Sequence, residues 1–423
     1  MDKFSIPGRF HRKWRRRLLL APWLGPLISL EAQDAAWPSA RENVSAPAPP
    51  AATNSLPTEP LSPVSWRYGN WRGYVAFTAE LRYDDNITAT DRNIIADFIG
   101  VAIPSINLEY VPSGMNQGAA IAHLDYSPQF KAYLNHESYN AVDQTANLKL
   151  EWTYGRSRLG LNHHYGLTTD PQMEQTGWGE LQTQNTDLSA GYELTEKTTL
   201  SLSPSQEWSS VDNGITLWEY GATLQATHHK SEKMDLLASY YAGEIQSTPG
   251  VNAFKQSALA GISWDANSRN RVDLRVGFQT MTYRGGQASG GNETPDLLLD
   301  WNYQLMAKTT AHLSVSYQTY FSQYVAYQVN KTISSQATLS HRLTEKISLE
   351  LRGGYAFGEQ NSVLNNQSSG GEFDCWNAGA GATYHLSRAT DLRLDFNHQE
   401  RSSNYLYQPY QRNVVQLSVQ HRF

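Results

Sequence analysis

Residues 347–357 read Ile-Ser-Leu-Glu-Leu-Arg-Gly-Gly-Tyr-Ala-Phe. Taken two at a time, Ile347, Leu349, Leu351, Tyr355 and Phe357 fall on one side, and Ser348, Glu350, Arg352 and Gly354 on the other. Successive side chains of a strand point to opposite faces, so this segment is a strand with one apolar and one polar face. Helical spacing scatters the same residues around the axis. The split recurs at 148–154, where Leu148, Leu150, Trp152 and Tyr154 oppose Lys149, Glu151 and Thr153. It recurs again at 392–397, where Leu392, Leu394 and Phe396 oppose Arg393, Asp395 and Asn397.

Working outward, the strands are joined in hairpins. Short polar turns lie at 155–158, 195–198, 229–232, 267–270, 306–309, 343–346 and 386–389, and their starts are 34 to 43 residues apart. Two of them are nearly one phrase, LTEKTTL from Leu194 and LTEKISL from Leu343. The intervening links are longer and rich in Gly, Asn, Ser and Gln, as at 284–295 and 358–371. Short turns at one end and long loops at the other are the asymmetry of an outer-membrane barrel. A repeat of about 40 residues also describes a β-propeller blade, but a blade fits four short strands into that length, and here it holds two long ones. The fold class expected is therefore all-β: a transmembrane antiparallel up-and-down β-barrel. Eighteen segments can be counted, one from Arg72 to Tyr83, eight pairs beginning near Ala96, and a last one from Gln411 to Phe423.

Composition excludes the main alternatives. The chain has 423 residues, 34 Lys and Arg against 40 Asp and Glu, 17% charged positions and 11% aromatic ones. A mean hydropathy of −0.53 leaves no room for the runs of about 20 apolar residues that helical membrane proteins need. The net charge of −6 is the reverse of a nucleic-acid binder, so no nucleic-acid partner is expected. Cys375 is the only cysteine, which rules out a disulfide framework, a Cys-based zinc site and a lipid-anchored N-terminus.

The domain reading has three parts. Residues 1–32 form a secretory signal: seven Lys and Arg lie before Leu18, followed by the apolar run LLLAPWLGPLISL (18–30), too short to span a bilayer. Without residues 1–30 the charge becomes 27 − 39 = −12. Residues 33–65, rich in Pro, Ala, Ser and Thr, form a disordered periplasmic linker with little to bury. Residues 66–423 form the barrel. An even strand count puts both barrel ends in the periplasm, which suits this tail and the alternating last strand Val415, Leu417, Val419, His421, Phe423. Its terminal Phe423 resembles the C-terminal assembly signal of outer-membrane barrels. The localisation expected is the bacterial outer membrane, with lipid, lipopolysaccharide and the barrel-assembly machinery as partners.

The polar face supplies candidate lumen-lining residues: Glu80, Arg82, His123, Asp125, Lys149, Glu151, Glu193, Glu219, Asp273, Arg275, Asp300, Arg342, Glu350, Arg352, Arg393 and Asp395. Both signs interleave, as expected of a hydrated interior whose charges pair or select a solute. The apolar face supplies an aromatic girdle of Trp152, Tyr154, Tyr192, Trp218, Tyr220, Trp264, Trp301, Tyr303, Tyr355 and Tyr384, whose rings suit the membrane–water boundary. The absence of a basic excess favours neutral or weakly charged solutes over strongly anionic polymers.

No metal or cofactor is expected. His163-His164 and His228-His229 are neighbours on strands and so point apart, and His123 with Asp125 lacks a third ligand. Asp84-Asp85-Asn86 carries carboxylates suited to Ca²⁺, but reads better as an acidic cluster opening a loop. No spacing singles out a nucleophile within reach of a base, so no catalytic residue is assigned and the protein is read as a non-enzyme.

Val75–Asn86 (VAFTAELRYDDN), followed by Asp97-Phe98-Ile99 and Pro104-Ser105-Ile106-Asn107-Leu108, resembles the N-terminal region of a family of porin-like outer-membrane β-barrels. Members of that family are often encoded with exopolysaccharide or capsule assembly genes. Its opening strand runs into a Tyr-Asp-(Asp/Ser)-Asn phrase, matched by Tyr83-Asp84-Asp85-Asn86. The resemblance covers about 40 residues closely. It implies a conduit, with a polysaccharide as the cargo and exopolysaccharide export as the role. The alternative is a structural or adhesive barrel whose loops plug the lumen and which transports nothing.

Overall fold

The computed structural model describes residues 66–423 except 113–118, 172–178, 213, 249, 286–289, 326, 364–370 and 404–408. The expected signal and linker, 1–32 and 33–65, lie outside the described residues.

The described chain is almost entirely strand. A short β1 (Trp66–Tyr68) turns back on β2 (Trp71–Asp84) through Gly69, whose φ of 60° favours glycine. Then follow β3 (Asp97–Tyr110), β4 (Ala119–Tyr133), β5 (Ala141–Tyr154), β6 (Ser157–Thr168), β7 (Leu181–Thr195), β8 (Thr198–Val211) and β9 (Thr216–Ser231). The second half comprises β10 (Met234–Ser247), β11 (Val251–Asn267), β12 (Asn270–Arg284), β13 (Gly291–Met306), β14 (Thr309–Phe321) and β15 (Gln328–Arg342). It ends with β16 (Ile347–Ser362), β17 (Gly371–His385), β18 (Thr390–Ser403) and β19 (Tyr410–Arg422). Each strand from β2 to β19 pairs antiparallel with the next, and β19 pairs with β2 from Arg422↔Ala76 to Val414↔Asp84. The sheet closes on itself as an 18-stranded barrel, so among the described residues the ladder from β2 to β19 has no free edge strand.

All seven short turns predicted from sequence are present, the third shifted to Glu232-Lys233. At the other end the sequence overestimated the links. The 284–295 stretch is strand up to Arg284 and again from Gly291, and β16 continues to Ser362. A tilted strand needs only about 10 residues to cross the hydrocarbon, whereas these have 12 to 17. The surplus lies at the loop end, where even the outer face is polar: Glu244 and Gln246 on β10, Lys331 on β15, Glu359 on β16, Glu372 and Asp374 on β17. Such segments lose the apolar alternation and read as loop. Hydrogen bonding along the ladder keeps them extended.

Alternation sorts the side chains. Val75, Phe77, Leu81 and Tyr83 of β2 are exposed, while Ala76, Thr78 and Asp84, at alternate positions, are buried. Register carries this division around the barrel, because directly opposed residues share a face. The exposed large apolar residues, among them Leu351, Leu394, Phe396 and Leu417, form the outer wall. Three inner stretches break the polar rule: Ile245, Val251, Ala253 and Met281 on β10 to β12, Ala356, Phe373 and Cys375 on β16 and β17, and a third on β3. Ile99, Val101 and Ile103 of β3 face inward and bury Ile87, from the link after β2, together with Tyr133. That link therefore folds into the barrel mouth.

Candidate functional site

The ladder places all sixteen candidate lumen residues on the inner face. Glu80 and Arg82 oppose Ser418 and Gln416, and His123 opposes both Glu109 and Lys149. Glu193 faces Thr199, Glu219 faces Ile245, and Asp273 faces Asp300. Arg342 faces Ser348, Arg352 faces Gly379, Glu350 faces Gly381, and Asp395 also faces Gly381. The ten aromatic candidates occupy the outer face, with Trp301 opposite Val272 and Tyr355 opposite Trp376. Trp152/Tyr154, Trp218/Tyr220 and Trp301/Tyr303 stack in pairs two residues apart.

The inner charges gather in separate groups. On β16 and β18, Arg352 binds Asp395 and lies 3.2 Å from Glu350, while Arg393 reaches Asp395 at 2.8 Å and Glu350 at 3.4 Å. These strands are not neighbours; β17 lies between them. Contact across it depends on Gly379 and Gly381, since a Cβ on Gly381 would stand 2.6 Å from Asp395 Oδ2. The trough is a consequence of small residues on the inner face of β17. Nearer the turn end, His229 with Asp235 (2.7 Å), His312 with Asp300 (2.8 Å) and Arg158 with Glu193 (3.0 Å) form further pairs.

The densest group was only partly foreseen. Lys131 of β4, its side chain fully buried, lies 2.5 Å from Asp143 and 2.9 Å from Asp170. Asp170 belongs to the link after β6 and also lies 3.4 Å from Arg82. Beside it, Arg412 of β19 grips Asp84 through Nε at 3.0 Å and a terminal nitrogen at 2.6 Å. Asp85 accepts from the Asn413 backbone at 2.6 Å and side chain at 2.7 Å, and Asn86 donates to the Gln411 carbonyl at 2.9 Å. The Asp84-Asp85-Asn86 phrase is thus a latch across the barrel seam. Lys131, Asp143 and Arg412 sat on the polar side of their strands, and alternation alone would have found them. Asp170 carried no such signal, because links have no period. Among the described residues no group of three or more His, Cys, Asp or Glu could hold a metal ion.

Asp170 gives a pH prediction. Burial pushes its carboxyl up, but Lys131, Arg82 and Arg412 outweigh that and hold it well below the usual carboxylate range. A depressed folded pKa contributes stability that is present above about pH 4 and lost as pH falls below it. Asp170→Asn should therefore lower the thermal midpoint at pH 7. The gap to the wild type should close as both are acidified, which melts followed from pH 7 to pH 2 would show.

Comparison with known proteins adds the following. Residues 257–423 match the family model described as "Putative beta-barrel porin 2". No curated protein matches the chain. Among solved structures, Acinetobacter baumannii OccAB4 aligns with a TM-score of 0.49 at 12% identity, over 83% of this chain and 98% of that one. Pseudomonas aeruginosa OpdO gives 0.47 at 11%, over 83% and 97%, and P. aeruginosa OpdK with vanillate gives 0.46 at 11%, over 83% and 99%. At these scores nothing about cargo follows. The closed ladder makes the chain an 18-stranded antiparallel barrel, and its residues 257–423 are similar to that porin family.

Proposed function

We propose that this porin-like barrel is a conduit for small polar solutes across the bacterial outer membrane. The observation that carries the reading is the opposition of its faces: a continuous outer wall of exposed apolar and aromatic side chains around an inner wall of paired charges, hydroxyls and amides. A lipid-facing wall with a hydrated interior is what passive passage requires. In this reading Trp152, Tyr154, Tyr192, Trp264, Trp301, Tyr303 and Tyr384 form the girdle near the turn end, and Trp218 and Tyr220 the one near the loop end. Tyr355 sits between them. Phe423 serves the assembly machinery, residues 33–65 are a periplasmic tail, and lipopolysaccharide covers the outer leaflet side. Exopolysaccharide export is the more specific role to test, and the neutralised inner charges suit a weakly charged polymer better than a polyanion. No catalytic step is assigned.

A second reading, the plugged structural barrel, is favoured by two residues of links at its loop end: Ile87, buried inside the barrel, and Asp170, half-buried, which reaches the buried Lys131 ammonium. Single-channel recording in a planar bilayer separates the two. Steady conductance reduced by added oligosaccharide supports the conduit, and ranking neutral against anionic sugars ranks the cargo. A barrel that inserts and never conducts supports the plug.

A further inference from the structure

Between β9 and β14 the inner wall is recessed. Gly221 and Gly243 oppose each other in register, and the Tyr241 ring lies over both, where side chains would otherwise stand. Tyr241 donates to Glu219 at 2.6 Å, and the Lys255 ammonium lies 3.7 Å from Glu219 and 5.5 Å from the Tyr241 ring centre. These three groups satisfy one another. Asp296, on the far side of the recess, accepts from Ser257 at 2.6 Å.

Arg275 lines the same recess and is different. Its ladder partners are Gly261 and Leu298, neither of which offers a side-chain acceptor. Asp273, two residues along the same face, is already held by Arg271 at 3.1 Å. Among the described residues, no hydrogen bond or ion pair engages the Arg275 guanidinium. A guanidinium presents a planar fork of donors that matches a carboxylate with two parallel bonds. The same recess is lined by Gln318, Ser239 and Tyr320, an amide and hydroxyls suited to a ligand's own hydroxyls. Glu219 is balanced by Lys255, so Asp296 sets the charge limit: one free cation beside one acid accepts a single carboxylate and repels a dianion.

We propose that this recess is a binding subsite for a polyhydroxylated monocarboxylate, a uronate sugar, with Arg275 forking the carboxylate. The subsite deepens the conduit reading and rests on it for its part in passage. The ligand chemistry is the same for a free sugar acid and for a uronate unit within a polysaccharide.

The test is calorimetric binding to the full-length refolded barrel in detergent, using glucuronate, glucose and a glucuronate-containing oligosaccharide. Glucuronate should bind and glucose should not. Arg275→Gln should weaken binding at least about tenfold, with Arg275→Lys between it and the wild type because charge remains and the fork is lost. Both variants must still shift on an unboiled gel, which reports the folded barrel. Tighter binding of the oligosaccharide identifies the polymer unit as the source, and binding of the monomer alone identifies the free acid. Unchanged affinity in Arg275→Gln, equal binding of glucose, or no binding of glucuronate overturns the subsite. Conductance is read separately, so a barrel that binds glucuronate and never conducts refutes the conduit and keeps the subsite.

Discussion

Asp84→Ala should destabilise the folded barrel by about 3–5 kcal/mol, the cost of leaving a buried charge without its partner. Asp84 is fully buried and Arg412 is 5% exposed, so water cannot replace the lost carboxylate. The position matters as much as the burial. The strand ladder of the seam stops at Val414↔Asp84, one further backbone bond runs from the Asp85 N–H to the Asn413 carbonyl at 3.2 Å, and the rest of the closure above that level is made by side chains: Arg412 on Asp84, Asn413 on Asp85, Asn86 on the Gln411 carbonyl. Loss of the carboxylate should therefore open the seam at the loop end first. Pairing the change with Arg412→Met should restore much of the stability, since it removes the orphaned charge and keeps apolar volume. Urea unfolding in lipid vesicles, followed by the gel shift, measures both. Equal midpoints for Asp84→Ala and wild type would show that the latch contributes nothing.

That latch marks how far the sequence could be read. Period two placed the strands, the turns and the facing of every candidate lumen residue, because alternation is a local property that closure of the sheet preserves. The Asp84-Asp85-Asn86 phrase was legible as an acidic cluster and not as a seam, since its partners lie 325 to 328 positions away. Pairing of first and last strands follows from an even, closed topology, but which side chains meet there depends on register. Lys131 was recoverable from its polar face, whereas Asp170 was not, for a link residue acquires its role only from where the chain folds. Ile99, Val101 and Ile103 misled in another way. Apolar residues on both faces of β3 carry no sign of direction, and only the insertion of Ile87 explains why the inner set is apolar. The loop-end strand extensions were hidden for the converse reason, polar residues on both faces.

The division between faces yields the other large effect. Leu351→Arg should reduce the folding free energy of the barrel in lipid by about 2–4 kcal/mol, the penalty for a cationic side chain near the bilayer midplane on the lipid face of a barrel. Leu351 lies on the outer face of β16, 56% exposed, flanked in register by Leu339 and Ala380. It is four residues from the turn end of its strand, too deep for an arginine to reach the headgroups without distortion. Gln336→Arg, on the inner face of β15 opposite Gly354, adds the same side chain to a hydrated wall and should change stability by no more than about 0.5 kcal/mol. The pair isolates facing from charge, since one residue type is introduced into adjacent strands of one barrel. Equilibrium refolding into vesicles gives both numbers. Two equal costs would mean that the outer wall does not face lipid, and the conduit reading would fall with it. A large cost for Leu351→Arg in lipid that disappears in detergent would tie the penalty to the bilayer, because only there is the arginine held among acyl chains that cannot rearrange around it.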